Sequence, residues 1–403
     1  MTAMYPPTVL HVITALNNGG AEAMLAKLVL ALPDSPQQHV VVSMLPLGVV
    51  GRQLVERGIP VHTLGMTRGR PSLPALVRLL RLARRLRPEV IQGWMYHGNI
   101  AAWLARQLGW RRARLGWNVR HSLHDLGREK AGTATAIRLC ARLSRHPAFI
   151  LFNSRIAIAE HAAVGFDPRS AILIPNGFDT GQFLADCGGR PARVGLVSEL
   201  GIAPGALVVA MVARVHPMKD HANLAAAVRA VRAAGHDLHL VLAGEGTETL
   251  SRQPDGPLAG LPGARMSLLG DRRDLPRWLP GVDIAVLSSA WGEGFPNVVG
   301  EAMAAGVPCV VTDVGDSGEI VGEGGLCVPP GDPAALAAAL IRLIEAGPEG
   351  RAAVGAAGRK RVLDLYTLDR IAAAYAEIYR GAPGRTADIA RRFPASAEAP
   401  CAG

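Results

Sequence analysis

Residues 291–303 read WGEGFPNVVGEAM and set Glu293 and Glu301 eight positions apart, with a glycine, a proline and an asparagine between them. Upstream, DIAVLSS at 283–289 is a short apolar run with β-branched residues; downstream, VVGEAMAAG has a helical composition closed by Gly306. The stretch reads as strand, loop, helix. Pro296 suits the first helical position, because its missing N–H is not needed there and its φ is already helical. Glu293 then lies in the loop and Glu301 just inside the helix. The free N–H groups and positive dipole end of such a helix favour anions, and carboxylates beside it accept hydrogen bonds from vicinal hydroxyls. A phosphate and a sugar can be held together at such a place. The plainer alternative has one glutamate neutralising the helix dipole and the other solvated.

With 403 residues, 49% hydrophobic and 19% charged, the chain is globular and too long for one core, so two domains are expected. No run has the length of a membrane span. The opening MTAMYPPTVLHVITAL lacks a basic leader and cleavage pattern and reads as a first strand; a cytoplasmic protein is expected. The five cysteines are scattered without a C-x-x-C pair, which points to reduced thiols rather than disulfides or a zinc site. Charge is uneven: residues 1–180 carry 22 Lys and Arg against 9 Asp and Glu, whereas 181–403 carry 21 against 24. The basic half calls for an anionic partner. Aromatics are only 4%, so base stacking is disfavoured and a membrane face or anionic acceptor is preferred to nucleic acid.

Strand-plus-helix units follow one another from residue 8. After strand 8–16 comes NNGGAEAM, where Gly19 and Gly20 let a ligand approach the backbone at a helix start; a purely structural turn reads as well there. The helix at 72–87 sets leucines on one face and Arg78, Arg81, Arg84, Arg85 and Arg87 on the rest, a pattern suited either to an anionic membrane or to a solvated basic face. PEVIQGWMYHGNIAAWLA at 88–105 places Trp94, Tyr96, His97 and Asn99 at the C-terminal end of a strand, where open α/β sheets bind ligands. LGWNVRHSLHD repeats the pattern with Arg120 and His121. Residues 180–204 are rich in Gly, Pro and Arg and read as a linker; the pattern restarts with ALVVAMVARVHPMKD at 206–220. There Arg214 and Lys219 can straddle a diphosphate, one as a fork and the other as a point charge, or Lys219 can pair with Asp220 at the surface. A doubly wound parallel α/β fold is predicted in both halves.

Together GGAE at 19–22, IPNGFD at 174–179, ARVHPMKD at 213–220, LLGDRRD at 268–274, EGFPNVVGEAMAAGVPCVVTDVGD at 293–316 and VPPGDP at 328–333 resemble the retaining glycosyltransferases of family 4 over nearly the whole chain. The resemblance implies a GT-B fold, two facing Rossmann-like domains with the active site in the cleft. The expected division is a first domain at 1–185, a linker at 186–200, a donor-binding domain at 201–365, a helix at 366–380 returning to the first domain, and a disordered tail at 381–403.

The resemblance also implies roles. Glu301 accepts the ribose hydroxyls, Arg214 and Lys219 neutralise the diphosphate, and Glu293 holds hydroxyls of the transferred sugar with backbone N–H groups around Phe295, Pro296, Asn297 and Val298. The base packs near Asp271 and Arg272, while Gly19 and Gly20 approach the diphosphate. Many members carry H-x-H where this chain has Trp94; His97, three residues on, either takes that role or joins Tyr96, Asn99, Arg120 and His121 on the acceptor side. The implied reaction is metal-independent hexosyl transfer from a nucleotide sugar to a lipid-linked saccharide or envelope glycan, with retention of configuration, at the inner face of the plasma membrane. A non-catalytic binding subunit, an epimerase and a sugar-phosphate synthase on the same fold are the alternatives.

Overall fold

The computed structural model describes residues 8–17, 19–32, 38–183, 190–252, 256–261, 263–272, 274–381 and 392–393. Asn18 and Arg273 of the motifs above, and most of the expected tail, lie outside them. The described residues up to Gly177 form one compact unit together with those from Leu368 onward; Phe178–Thr367 form a second.

Unit 1 contains β1 (Val9–Ile13), α1 (Gly20–Ala31), β2 (His39–Ser43), α2 (Val49–Glu56), β3 (Val61–Thr63), α3 (Leu73–Leu86), β4 (Val90–Trp94), α4 (Met95–Leu104), β5 (Arg114–Val119), α5 (Ala131–Leu143), β6 (Phe149–Phe152), α6 (Arg155–Ala163) and β7 (Ala171–Leu173). Unit 2 contains α7 (Arg190–Leu200), β8 (Val208–Val212), α8 (His221–Ala233), β9 (His239–Ala243), β10 (Met266–Leu268), α9 (Leu275–Trp278), β11 (Ile284–Leu287), α10 (Asn297–Ala304), β12 (Cys309–Thr312), α11 (Ser317–Val321), β13 (Gly325–Val328), α12 (Pro333–Glu345) and α13 (Gly347–Leu365). The chain then returns to unit 1 as α14 (Leu368–Arg380).

Both sheets are parallel throughout, ordered β3-β2-β1-β4-β5-β6-β7 and β10-β9-β8-β11-β12-β13. Every residue of β1, β2, β4 and β6 is buried, which follows from helices covering both sheet faces. One apolar layer of unit 1 joins α1 to α14 through Leu25, Leu28, Ile371 and Tyr375; the other joins the opposite face to α3 and α5 through Leu79, Trp117 and Ile137. In each sheet the strand order reverses once, between β1 and β4 and between β8 and β11. Such reversal points, at the carboxyl ends of strands, are where open sheets of this kind hold ligands.

Three expectations change. The stretch expected as a linker contains α7: Ala192 and Leu196, one helical turn apart, are buried, and the Arg193 guanidinium donates to Gly281 O at 2.9 Å and Asp283 Oδ2 at 2.7 Å. Arginines that look like linker composition are here structural anchors. The expected disordered tail is ordered at residues 392–393, where Phe393 is 2% exposed and Arg392 forks onto Glu377 at 2.8 and 3.0 Å. Pro296 is the N-cap of α10 rather than its first residue, with φ −70° and ψ 111°. Its ring satisfies φ in either role, so composition does not separate them.

Candidate active site

In unit 2 the backbone beyond β8 stays paired with the chain beyond β9, Ala213 N donating to Ala243 O and Val215 N to Glu245 O, both at 2.8 Å. Gly244 has φ +132°, and a Cβ there would stand 2.3 Å from Ala213 O, so only glycine permits this approach. Arg214 emerges from the paired segment exposed. A 3-10 turn at Pro217–Lys219 leads to Asp220, which takes φ +46° and caps α8 by accepting from Asn223 N at 3.1 Å. Asp220 is therefore engaged in starting the helix, and the surface pair with Lys219 does not form.

This loop is laced to the end of β11. Ser288 Oγ donates to Lys219 O at 3.0 Å and Asp220 O at 3.1 Å, and Ala290 N donates to Met218 O at 2.8 Å. Within that frame the Lys219 ammonium pairs with Glu293 Oε1, and Ser289 Oγ donates to the same oxygen at 2.5 Å. Glu293 is only 7% exposed, so it is a buried carboxylate held by one cation and one hydroxyl. Thr312 Oγ1 fixes the Ser289 carbonyl at 2.6 Å. Gly315, at φ +64°, lies so close that a Cβ would stand 2.2 Å from Glu293 O, and Asp316 N donates to Gly294 O at 2.9 Å.

Phe295 anchors the loop beyond, its ring stacked on Phe178 at 6.1 Å and edge-on to Tyr366 at 5.4 Å. Gly300 makes room, since a Cβ there would fall 2.0 Å from the Phe178 ring. Asn297 then opens α10, with Val298 next and Glu301 one turn in, half-buried. Pro296 supplies no side-chain cap to this helix and its first turn holds no acid, so the positive end of the helix dipole favours an anion. The structure thus brings Lys219, Glu293, Ser289 and the start of α10 together at the β8/β11 reversal. Arg272, by contrast, is committed: its fork meets Asp274 at 2.7 and 2.6 Å and Glu199 at 2.5 Å. Those carboxylates raise the Arg272 pKa, and Arg272 in turn lowers that of Asp274. Asp271 beside it is exposed.

At the β1/β4 reversal of unit 1, Gly19 is the N-cap of α1 and Gly20 its first residue. Glu22 curls back there, so a Cβ on Gly19 would meet its Oε2 at 2.1 Å, and burial raises the Glu22 pKa. β4 passes directly into α4, with Met95 in the left-handed region at φ +61°. His97 is exposed, with a pKa lowered by desolvation. Trp94, Tyr96 and Asn99, expected on the acceptor side, are interior residues with at most 2% exposure. Trp94 Nε1 donates to His11 Nδ1 at 3.2 Å, Tyr96 OH bonds His161 Nε2 at 2.8 Å, and Asn99 Oδ1 accepts from Asn118 N at 3.4 Å. They shape the strand end rather than line it.

Arg120 is partly exposed and pinned, donating to Tyr375 OH at 2.8 Å and Asn118 Oδ1 at 3.2 Å, bonding Asn176 Oδ1 and lying 5.7 Å over Trp94. His121 Nε2 meets Glu129 Oε1 at 2.7 Å. Sequence reasoning missed Ser289, Gly315 and Thr312 beside Glu293, and the buried His11–His39 pair (3.2 Å) with Tyr375 and Tyr379 behind Trp94. A hydroxyl or histidine at a strand end or inside an apolar strand was the available signal.

Among the described residues no helix is long and apolar enough to cross a membrane. Residues 18–182 match the family described as Glycosyltransferase Family 4, and 206–346 that described as Glycosyl transferases group 1. The D-inositol 3-phosphate glycosyltransferase of Geodermatophilus obscurus is 30% identical over 312 residues, 68% of this chain and 64% of its own length. The UDP-Gal:alpha-D-GlcNAc-diphosphoundecaprenol alpha-1,3-galactosyltransferase of Escherichia coli is 32% identical over 157 residues, 37% of this chain and 38% of its own. The match spans less than two thirds of each of these relatives. Among solved structures, Anabaena HepE in complex with UDP superposes with TM-score 0.80 at 21% identity, covering 93% of this chain and 100% of that one. That likeness shows a shared fold, GT-B.

Proposed function

The chain belongs to the glycosyltransferases of family 4 and group 1, and from that premise we propose that it moves a hexose from a nucleotide sugar to a lipid-linked saccharide or cell-envelope glycan. The observation that carries this reading is the state of Glu293. Its Oε1 takes both Lys219 and Ser289, which leaves Oε2 to accept a sugar hydroxyl near the start of α10. A fixed anion in so buried a place is a means of orienting a polyol.

In the proposed reaction the bond between the anomeric carbon and the diphosphate oxygen breaks as an acceptor hydroxyl attacks, negative charge gathers on the leaving nucleoside diphosphate, and the acceptor's proton passes to the departing diphosphate oxygen. Arg214, Lys219 and the first N–H groups of α10, from Asn297 and Val298, stabilise that charge as it develops. Glu301 takes the ribose hydroxyls, and Asp271, in its exposed loop, borders the base. Arg272 serves by holding that loop to α7 instead of touching the donor. Within unit 1, Gly19 and Gly20 offer backbone at a helix start suited to a phosphate, and His97 is exposed with a pKa lowered by desolvation. Because the chain's own cations answer the diphosphate charge, the proposal includes independence from metal, and family likeness supports retention of configuration. The relatives' acceptors, an inositol phosphate and a diphosphoundecaprenol, are anionic by name, which suits the basic first half and work at the inner face of a membrane.

The test is thermal unfolding of the wild type, Glu301→Ala and Arg214→Ala with UDP-, GDP-, ADP- and dTDP-sugars, with and without EDTA. A ligand at about 100 times its Kd stabilises by roughly 2.7 kcal/mol. One nucleotide class should raise the wild-type melting temperature, EDTA should not matter, and both variants should lose the shift. No shift with any donor, or an undiminished shift in Glu301→Ala, overturns the site.

A further inference from the structure

Unit 1 carries a second recess that the donor chemistry does not use. It lies where the N-terminal end of α3 passes over the ends of β2 and β3, with a volume of about 360 Å³, and its walls include Met44, Leu64, Met66, Leu76 and Leu104. Leu73 stands at its lip, 71% exposed, and is shared with a shallower depression lined by Pro74, Val77, Arg78 and Arg81. Leaving a leucine that open beside an unfilled apolar hollow has a hydrophobic cost unless something covers both.

The surrounding charge says what kind of cover fits. From Arg57 to Pro88 the chain holds eight arginines and no acidic residue. Arg68, Arg70, Arg78, Arg81, Arg84 and Arg85 are exposed. The α3 face opposite them is committed to the core through Ala75, Leu79, Leu82 and Ala83, so the arginines cannot turn inward. Ser72 caps the helix by accepting from Ala75 N at 3.3 Å, which fixes Leu73 where the hollow opens. An apolar slot with a projecting leucine, set in an uncompensated cationic field, matches a surface that is anionic outside and hydrocarbon just beneath.

We propose that this corner of unit 1 docks on an anionic bilayer, with one acyl chain of a phospholipid entering the hollow behind Leu73. This deepens the reading of a membrane-side acceptor, but it stands on residues remote in sequence from the donor groups. Docking here would hold the enzyme at the bilayer independently of either substrate.

The experiment is co-sedimentation of the full chain with vesicles of phosphatidylglycerol and, separately, phosphatidylcholine. Wild type should bind phosphatidylglycerol at least tenfold more tightly, with affinity falling steeply between about 0.05 and 0.5 M salt. Leu73→Ser, which keeps every charge, and the pair Arg78→Glu with Arg81→Glu should each lose about tenfold or more. All three positions are exposed or at the lip, and unchanged melting temperatures confirm that the variants fold. Leu73→Trp fluorescence should be quenched by acyl chains carrying a nitroxide. Equal binding to both vesicles, unaltered binding by Leu73→Ser, or binding of RNA without affinity for vesicles overturns the proposal. Nucleotide-dependent thermal shifts are indifferent to these variants, so failure here and failure of the donor site are read separately.

Discussion

Replacing Lys219 by methionine keeps most of the side-chain volume and removes the cation paired with Glu293. The carboxylate sits at 8% side-chain exposure, so water cannot replace the ammonium without opening the loop. Breaking one partner out of a buried pair costs about 3–5 kcal/mol. The Ser289 hydroxyl still donates to Oε1 at 2.5 Å, which places the expected loss at the low end, about 3 kcal/mol. That is roughly a hundredfold in an opening equilibrium. Glu293→Gln should be milder, about 1 kcal/mol, since Lys219 at 16% exposure can turn toward solvent. The double variant then becomes the decisive protein: with no orphaned anion it should be more stable than Lys219→Met alone. Hydrogen exchange of the β8 and β11 amides reads this within unit 2 and avoids treating a two-unit chain as one transition. A Lys219→Met protein within about 0.5 kcal/mol of wild type, or strictly additive effects in the double variant, would refute the buried-pair argument.

Gly315→Ala should lose the donor-induced thermal shift and about 2 kcal/mol of stability, because φ +64° disfavours a side chain and the new Cβ would press on Glu293 O; a normal nucleotide shift would contradict this. Unit 1 should weaken in acid. Burial holds His161 down to about 4 against an ordinary 6.5, so the unfolded chain takes up a proton that the fold refuses, and stability present above about pH 6.5 is lost progressively toward pH 4, by about 3 kcal/mol. Melting curves between pH 7 and 4.5 should show a flatter slope in His161→Gln. Phe393→Ser should cost unit 1 about 2 kcal/mol, or roughly 6 °C in melting temperature, because its ring is buried in the unit 1 core.

The sheets were the most legible part of the chain. Continuous runs such as VVVS and IAVL admit few readings once helices alternate with them, and the strand-loop-helix at 283–306 is observed. The placement of Glu293 before α10 and of Glu301 within it was legible because Gly294 and Pro296 interrupt the chain between β11 and the helix. What composition concealed was commitment. Arg193 and Arg272 look like free cations in a loose segment, yet each is satisfied by a carboxylate distant in sequence, Asp283 for one and Glu199 for the other. Trp94, Tyr96 and Asn99 stand at a strand end, but Trp94 is still within the paired strand and Tyr96 and Asn99 lie on the buried face of α4. Which face of a strand or helix packs inward depends on the elements that cover it, and no residue type announces that.

Unit 1 is closed by its own C-terminus. Tyr375 stacks flat on Trp94 and its hydroxyl binds Asn118, while Tyr379 packs on His11 and bonds Gln92. Between Gly177 and Leu368 the ribosome must add 190 residues, about 10–40 s of elongation. For that interval the first sheet waits with the histidine pair and Trp94 uncovered, while unit 2 is made and can fold entire. Among the described residues, α14, which completes unit 1, is therefore made only after the whole of Phe178–Thr367. A chain stalled before α14 would carry a finished unit 2 tethered to an unfinished unit 1.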